Sequence, residues 1–345
     1  MSFCKNCEMT IKNTEVKCAV CEAPLHNDCK QQCIQCGVPL CDEHAIKNKW
    51  KCSSCLDAMK VVNSMEFISA TMFESYLKCP YAFQQEFIVD EKYKTRMDDD
   101  EYANKYSKTG QALHNLFEKY SVLDPEQYSY KKMLADYKKM FNEISEDFFE
   151  DELDRQTFYE RDKQIIKNWI EEEATKPRPL YTEKKHFTNL HPDLPPVRAT
   201  IDRINGYEND PMNWEVEDYK TGKVYTSNML KNNMQLPIYA LTIQEQYGAL
   251  PFALKLYFPQ HQKYRIFERE NDDVYICHVP RGGTYVISLQ ERLEKMVQIY
   301  KQIQRGDFSF NTKNRHFCEN FCSVGISGMC DGLTTAWSAL KQRSG

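Results

Sequence analysis

Apolar residues recur at helical spacing from Thr71 to about Val89, where Phe73, Tyr76, Leu77, Tyr81 and Phe83 form one face behind a possible Ser69 cap. A second helix is predicted from about Ser107, carrying Gly110, His114, Phe117 and Glu118. Residues 130–175 read as long helices with a mixed charged surface, and Pro177 and Pro179 end them. The period then changes. Strands are predicted at 181–188, 197–205 and 213–220, a helix at about 229–247, strands at 252–259 and 273–279, and a last helix at about 287–304. The pattern is a helix-rich front followed by a mixed α/β core, with no internal repeat.

Before residue 60 this patterning disappears. Of the 15 cysteines, 10 lie within the first 55 residues, and apolar periodicity there is poor. The chain opens MSFCKNC, without a basic stretch followed by an apolar one, so a reducing cytosolic or nuclear compartment is the expectation. In that setting cysteine pairs point to metal rather than disulfides. Six pairs can be read, each separated by two residues: Cys4/Cys7, Cys18/Cys21, His26/Cys29, Cys33/Cys36, Cys41/His44 and Cys52/Cys55. That spacing lets a tight turn present two side chains to one tetrahedral ion, and twelve ligands fill three zinc sites. The stretch from Cys18 to Cys29 resembles the interleaved RING, PHD and FYVE zinc modules, in which alternate pairs share a metal. The grouping preferred here joins pairs one with three, two with five, and four with six. Such closed sites supply folding energy rather than chemistry.

The formal net charge of -5 excludes a molecule that is basic overall, so any nucleic-acid site must be local or use metal to offset phosphate charge. No apolar run is long enough to span a membrane.

The candidate chemistry lies in Ala199-Thr-Ile-Asp202-Arg-Ile204 and Trp214-Glu-Val-Glu-Asp218-Tyr-Lys220-Thr-Gly222. As neighbouring antiparallel strands, these put Asp218 and Lys220 on one face and can bring Asp202 onto it. Two carboxylates suit a hard divalent cation such as Mg²⁺ or Mn²⁺, and a lysine beside it can orient water and offset negative charge. Taken singly, each residue has an ordinary reading: a strand entering a turn at Gly222, a helical histidine at His114, a helix face packing on the sheet at Gln235 and Tyr239. Glu183 is a candidate extra acid on an early strand, against the ordinary reading of a solvated charge.

Their order along the chain resembles the PD-(D/E)XK nuclease superfamily, in its RecB-like branch, which includes the nuclease domains of RecB and AddB. The Ile-Asp-Arg at 201–203 and the Asp-Tyr-Lys-Thr-Gly at 218–222 carry the resemblance, over roughly residues 66–335. It implies a restriction-endonuclease-like mixed sheet flanked by helices, behind a zinc-binding module at residues 1–60 and before a tail at 336–345. It further implies that Asp202 and Asp218 are the metal-binding acids, Lys220 the catalytic lysine, and the Tyr219 carbonyl a further ligand. His114 resembles the helical histidine that joins the metal shell. Gln235 and Tyr239 resemble a Gln-x3-Tyr motif beside the site.

Cys79, early, and Cys318, Cys322 and Cys330, late, resemble the iron–sulfur staple of AddB, which implies a [4Fe–4S] cluster. The late spacing, Cys-x3-Cys-x7-Cys, is looser than the family's Cys-x2-Cys-x5-Cys, and a four-cysteine zinc site or free buried thiols stay open. Cys277 is left over, alone in a strand, as a small buried hydrophobe. The resemblance implies a DNA nuclease, an exonuclease by preference, in DNA processing, repair or recombination, acting on DNA that is single-stranded or has a free end. The contrasting reading is an adaptor whose zinc module recruits a partner. No Gly-x4-Gly-Lys-Ser/Thr loop is present, so a separate helicase would be a partner if duplex is degraded from an end.

Overall fold

A computed structural model describes residues 2, 3, 5, 10, 11, 16–25, 30–33, 39–49, 51–53, 56, 62, 65–88, 105–127, 129–279, 282–311, 318, 322–326 and 330. Cys4, Cys7, His26, Cys29, Cys36 and Cys55, and the tail at 336–345, lie outside the described residues. Contacts divide the chain into two compact units. One comprises residues 67–74 and 102–296; the other comprises 1–66, 75–101 and 297–345.

In the first of these, the elements are β1 (Ile68–Ser69), α1 (Ala70–Lys78, whose later turns belong to the second unit) and, after α2 (Pro80–Phe87) of that second unit, α3 (Lys105–Ser121), α4 (Tyr130–Asn142) and α5 (Glu152–Glu173). The strand-rich part follows: β2 (Tyr181–Thr188), β3 (Val197–Asn205), β4 (Glu215–Tyr219), α6 (Ser227–Asn232), α7 (Gln235–Tyr247), β5 (Ala253–Phe258), β6 (Lys263–Arg269), β7 (Val274–Val279), β8 (Gly283–Ser288) and α8 (Leu289–Arg305, whose later turns belong to the second unit). The strands form one mixed sheet in the order β8-β7-β6-β5-β4-β3-β1, with β2 paired to β3. The β4–β5 and β1–β3 pairs are parallel and the others antiparallel. This is a mixed α/β sheet flanked by helices, as the restriction-endonuclease-like expectation requires.

Three helices close over part of the sheet because their apolar stripes meet. Leu113, Leu116, Phe117 and Tyr120 of α3, Met133, Tyr137 and Phe141 of α4, and Ile165, Ile166 and Trp169 of α5 bury together with Tyr219 and Tyr257 of the sheet. Phe117 and Trp169 stack at 4.7 Å with planes 3° apart. Asp151 and Ser129 cap α5 and α4 by accepting from Asp154 N and Lys132 N. At the β3–β4 connection Gly206 holds φ 139°, and a Cβ there would meet Trp214 Cδ1 at 2.5 Å.

Two predicted helices are broken. The one expected from Thr71 to Val89 stops at Cys79, which is extended at φ -160° and ψ 109°, because Pro80 disfavours helix in the residue before it. Ser69 does act at its start, its Oγ accepting from Met72 N at 3.4 Å. The one expected over 229–247 divides at Asn233, whose Oδ1 accepts from Leu236 N at 2.9 Å and so starts a new helix. β6 and β8 lie outside the predicted strands.

In the second unit, the early and late segments are tied together. Tyr76 Oη donates to the Asp307 carbonyl at 2.7 Å, Asn311 Nδ2 donates to the Lys78 carbonyl at 2.7 Å, and Phe83 stacks on Phe308. Its N-terminal part is built from two-residue strand pairs, Val16–Lys17 with Pro24–Leu25 and Gln31–Gln32 with Pro39–Leu40, and a short helix, Asp42–Lys47. Among the described residues, no helix is long and apolar enough to cross a membrane.

Candidate functional site

The register of β3 against β4 pairs Arg203 with Glu217 and Ile204 with Val216, so the next pair in line is Asp202 with Asp218. Here the two strands part. Asp202 Oδ2 accepts instead from Tyr219 N at 2.8 Å, which fixes the carboxylate in the fork. Lys220 N donates to the Tyr257 carbonyl at 2.8 Å, which carries β4 along its parallel neighbour for one residue more.

Helix α3 brings His114 to the same place. Gly110, one turn earlier, permits the approach: a Cβ there would meet Thr221 Oγ1 at 3.2 Å. His114 Nδ1 lies 3.5 Å from Asp202 Oδ2 and 3.9 Å from Glu183 Oε1. One donor atom from each of His114, Glu183 and Asp202 falls within 4.8 Å of the other two. Glu183, for which a solvated charge was the expected reading, is therefore a member of the cluster. Its backbone shows why. The β2–β3 ladder pairs Thr182 with Arg203 and Lys184 with Ile201 but skips Glu183 and Asp202, and Glu183 holds φ 45°. The local distortion turns both carboxylates toward α3.

A polar chain holds the other half of the site. Lys220 Nζ lies 2.6 Å from Asp218 Oδ2 and donates to Gln235 Oε1 at 2.7 Å. Gln235 Nε2 donates to Tyr239 Oη at 2.6 Å. That hydroxyl has two acceptors for its one proton, the Thr200 carbonyl at 2.7 Å and Asp218 Oδ1 at 3.1 Å. Gln235 and Tyr239, four apart on α7, so serve as one strut between the lysine and the acid. Tyr219 turns its ring the other way, edge-on to Phe117 at 5.6 Å.

Charge is concentrated at this point. Burial, with Asp218 adding to it, pushes the Asp202 carboxyl up to about 7, against the opposing pull of His114, Lys220 and the Tyr219 N–H. Burial would lower the pKa of His114, but Asp202, Glu183 and Asp218 outweigh it and raise it. Lys220 is likewise raised, its burial outweighed by Asp218, Tyr225 and Asp202. Asp218 Oδ2 is buried and meets Lys220 as an ion pair at 2.6 Å, its other lone pair without a partner among the described residues. Crowded acids, a histidine and an open carboxylate lone pair fit a divalent cation better than they fit one another. The cluster opens on a cleft of 810 Å³ lined by Tyr106, Gln111, His114, Glu183, Lys185, Asp202 and Gln235, among others.

The second unit holds the other candidate ligands. Cys18, Cys21, Cys41 and His44 form a set with donor atoms within 4.8 Å of one another. This joins the second pair to the fifth, the preferred grouping. Cys41 Sγ and His44 Nδ1 are 3.1 Å apart, and Cys21 Sγ and Cys41 Sγ 4.0 Å, near the spacing of roughly 3.8 Å between sulfurs on one tetrahedral zinc. Burial would raise the Cys18 thiol, but the N–H groups of Cys21, Cys41 and Val20 bring it down to about 7. Cys52 N donates to Cys33 Sγ at 3.3 Å, which brings together members of the fourth and sixth pairs. Cys322 and Cys330 bury beside Ala82 and Val324, with Cys79 packed against them. Burial, and the neighbouring Glu86 and Cys79, raise the Cys322 thiol. Cys318 is buried, its Sγ 3.7 Å from the Asn311 carbonyl oxygen. Cys277 is buried in β7.

A family model described as the PD-(D/E)XK nuclease superfamily matches residues 68–327. No curated protein matches the chain.

Proposed function

The chain belongs to the PD-(D/E)XK nuclease superfamily, and from that premise we propose that it is a metal-dependent deoxyribonuclease, an exonuclease of the RecB/AddB-like kind acting in DNA processing. The observation that carries this reading is the convergence of His114, Glu183 and Asp202 on one cleft, with the buried Asp218–Lys220 pair acting on Asp202 from beside it. His114, Glu183, Asp202, Asp218 and the Tyr219 carbonyl would hold Mg²⁺ or Mn²⁺. When bound, such a cation polarises the phosphate and makes its water more acidic. The chain's own residues supply the rest. Lys220 orients the attacking water and offsets charge that grows on the phosphate oxygens. Gln235 fixes the ammonium and, through Tyr239, the angle of Asp218. The Tyr219 N–H keeps Asp202 in the fork as an acceptor.

In the second unit, Cys18, Cys21, Cys41 and His44 would form a closed zinc site, with Cys33, Cys36, Cys52 and Cys55 as a further set and Cys4, Cys7, His26 and Cys29 as a third. A closed four-ligand site has no open position for substrate, so this module binds a partner, such as DNA or a helicase, rather than catalysing. Cys79, Cys318, Cys322 and Cys330, drawn from one early and one late segment, would hold a [4Fe–4S] cluster. What supports this is the burial of the three late cysteines in the unit that also holds Cys79.

The test is a cleavage assay on labelled single-stranded and duplex DNA with Mg²⁺ and with Mn²⁺. Wild type should cut. Lys220→Ala should lose about 10²-fold or more in rate with its circular dichroism unchanged. Equal rates in the two proteins, or no cutting by either, would remove the hydrolytic reading. Anaerobically purified protein should be coloured and contain iron and sulfide; a colourless protein holding only zinc would overturn the cluster.

A further inference from the structure

The cleft does not end at its acids. Beyond them the β2–β3 ladder returns to regular pairing, with Lys185 opposite Thr200 and Phe187 opposite Arg198. Lys185 and Thr200 line the cleft, and alternation puts Phe187 and Arg198 on the same face, one step further out. Phe187 is 57% exposed. It meets the ring of Phe67 edge-on at 5.9 Å and 80°, and the Arg198 guanidinium lies over that same ring at 4.2 Å. Among the described residues, no carboxylate forms an ion pair with Lys185 or Arg198.

A single exposed phenylalanine needs no explanation. An exposed ring braced by a second ring, beside a guanidinium placed over that second ring, with a lysine leading back to paired acids, is a different arrangement. Fixed cations alternating with aromatic faces are what an unpaired strand recognises: the cations take phosphates and the rings stack bases. Duplex DNA offers no free base face to Phe187. From Arg198 to Asp202 is four strand residues, about 13 Å. This places the aromatic step a few nucleotides from the acids, since stacked nucleotides rise about 3.4 Å each.

We propose that the outer face of β2 and β3, from Lys185 through Arg198, Phe187 and Phe67, is a track that holds single-stranded DNA and feeds it to the cleft. The inference rests on the nuclease reading and names the form of its substrate. Lys185 and Arg198 hold phosphates in register. Phe187 stacks one unpaired base. The net charge of -5 leaves such a local track as the means of holding a polyanion against general repulsion.

Binding is measured by fluorescence anisotropy with a labelled dodecamer, single-stranded or as a blunt duplex, using the full chain carrying Lys220→Ala so that the strand stays intact. Adding Phe187→Ala should weaken single-strand binding about tenfold and leave duplex binding unchanged, and Phe187→Trp should restore it. Adding Arg198→Ala should reduce the slope of log affinity against log salt by about 1. Phe187 is exposed, so thermal melting of its variants should match the parent. The track is disproved if Phe187→Ala and Arg198→Ala bind the single strand as the parent does, or if single strand and duplex weaken alike. Should Lys220→Ala cut DNA at the wild-type rate, the catalytic reading fails, and the Phe187 comparison, repeated with EDTA in place of the divalent cation so that the strand stays intact, still decides the track.

Discussion

Glu183 holds φ 45°, a left-handed conformation that costs a non-glycine residue about 1–2 kcal/mol. It also turns a carboxylate toward Asp202, so strain and like charge meet at one residue, as they do where a site is built for a ligand. Replacing it separates stability from function. Glu183→Gly removes the strain and one negative charge, against about 0.5–1 kcal/mol of added chain entropy in the unfolded state. The variant should unfold at the same urea concentration as wild type or a higher one, while its affinity for Mn²⁺, read by calorimetric titration, falls. A variant that is less stable and binds Mn²⁺ as before would remove Glu183 from the metal set. Asp202, Asp218 and Lys220 were legible because strand alternation and one short motif locate them together. Glu183 was not, since residue type and alternation carry no sign of a φ angle, and a lone strand acid reads as solvated. The signal that could have found it was its position: 183 and 202 are equidistant from the paired residues on either side of a ladder that the predicted strands at 181–188 and 197–205 already imply.

The strand that presents Asp218 and Lys220 also has a reverse side. Glu217, buried at 1% exposure, pairs with Lys176 at the end of the α5 segment, and buried Arg203 pairs with Glu173 of α5. Lys176 Nζ lies 4.8 Å from the Tyr257 ring centre and 5.5 Å from that of Tyr264. The two ion pairs and the rings fasten the helix to the back of β3 and β4, and so hold the fork from behind. Truncating one partner strands a buried charge. Glu217→Ala should cost about 3–5 kcal/mol in urea unfolding, and the double variant with Lys176→Met should recover most of it. If Glu217→Ala unfolds within about 0.5 kcal/mol of wild type, the pair does not fasten the helix. At this scale the outlines of β3, β4 and β5 followed from their buried apolar positions, and that of the mostly polar β2 from Pro177 and Pro179, which end the helices before it. β6 (KYRIFER) and β8 (GTYVIS) escaped because Ile266 and Val286 are apolar at exposed positions and blur the alternation that marks a strand. The break at Cys79 is written in Pro80, whose effect on the residue before it outweighs the strong apolar stripe. The break at Asn233 is written less clearly, since asparagine is tolerated within a helix until its side chain finds an N–H to cap.

For the molecule as a whole, the two patterns that divide the sequence obey different stability rules. The sheet and helices around His114 and Asp202 bury large aromatic and aliphatic side chains and need no metal to fold. Among its described residues the N-terminal segment shows little of this: Leu25, Leu40 and Ala45 are the aliphatic side chains that bury with Cys18, Cys33, Cys41 and Cys52. Two-residue strand pairs around so small a core lie well below the size at which apolar burial offsets chain entropy. On the proposed zinc reading, the free energy that orders it comes from ligation, which for structural zinc is of order 10 kcal/mol. Removing the metal should unfold this segment selectively. After treatment with a strong chelator, limited proteolysis followed by mass spectrometry should cut first within residues 16–47, and Cys18, Cys21 and Cys41 should become open to maleimide. The helices α3 to α5 should keep their protection, and restoring Zn²⁺ should close both signals. Selectivity is the point of the experiment. A segment that resists protease equally with and without chelator would mean that Cys18, Cys21, Cys41 and His44 are gathered by packing alone. A loss of protection through α3 to α5 as well would mean that the sheet depends on the same ion. The spacing of the cysteine and histidine pairs predicts the first pattern, because each proposed site would draw its ligands from within residues 4–55 and none from the strands that carry Asp202 and Asp218.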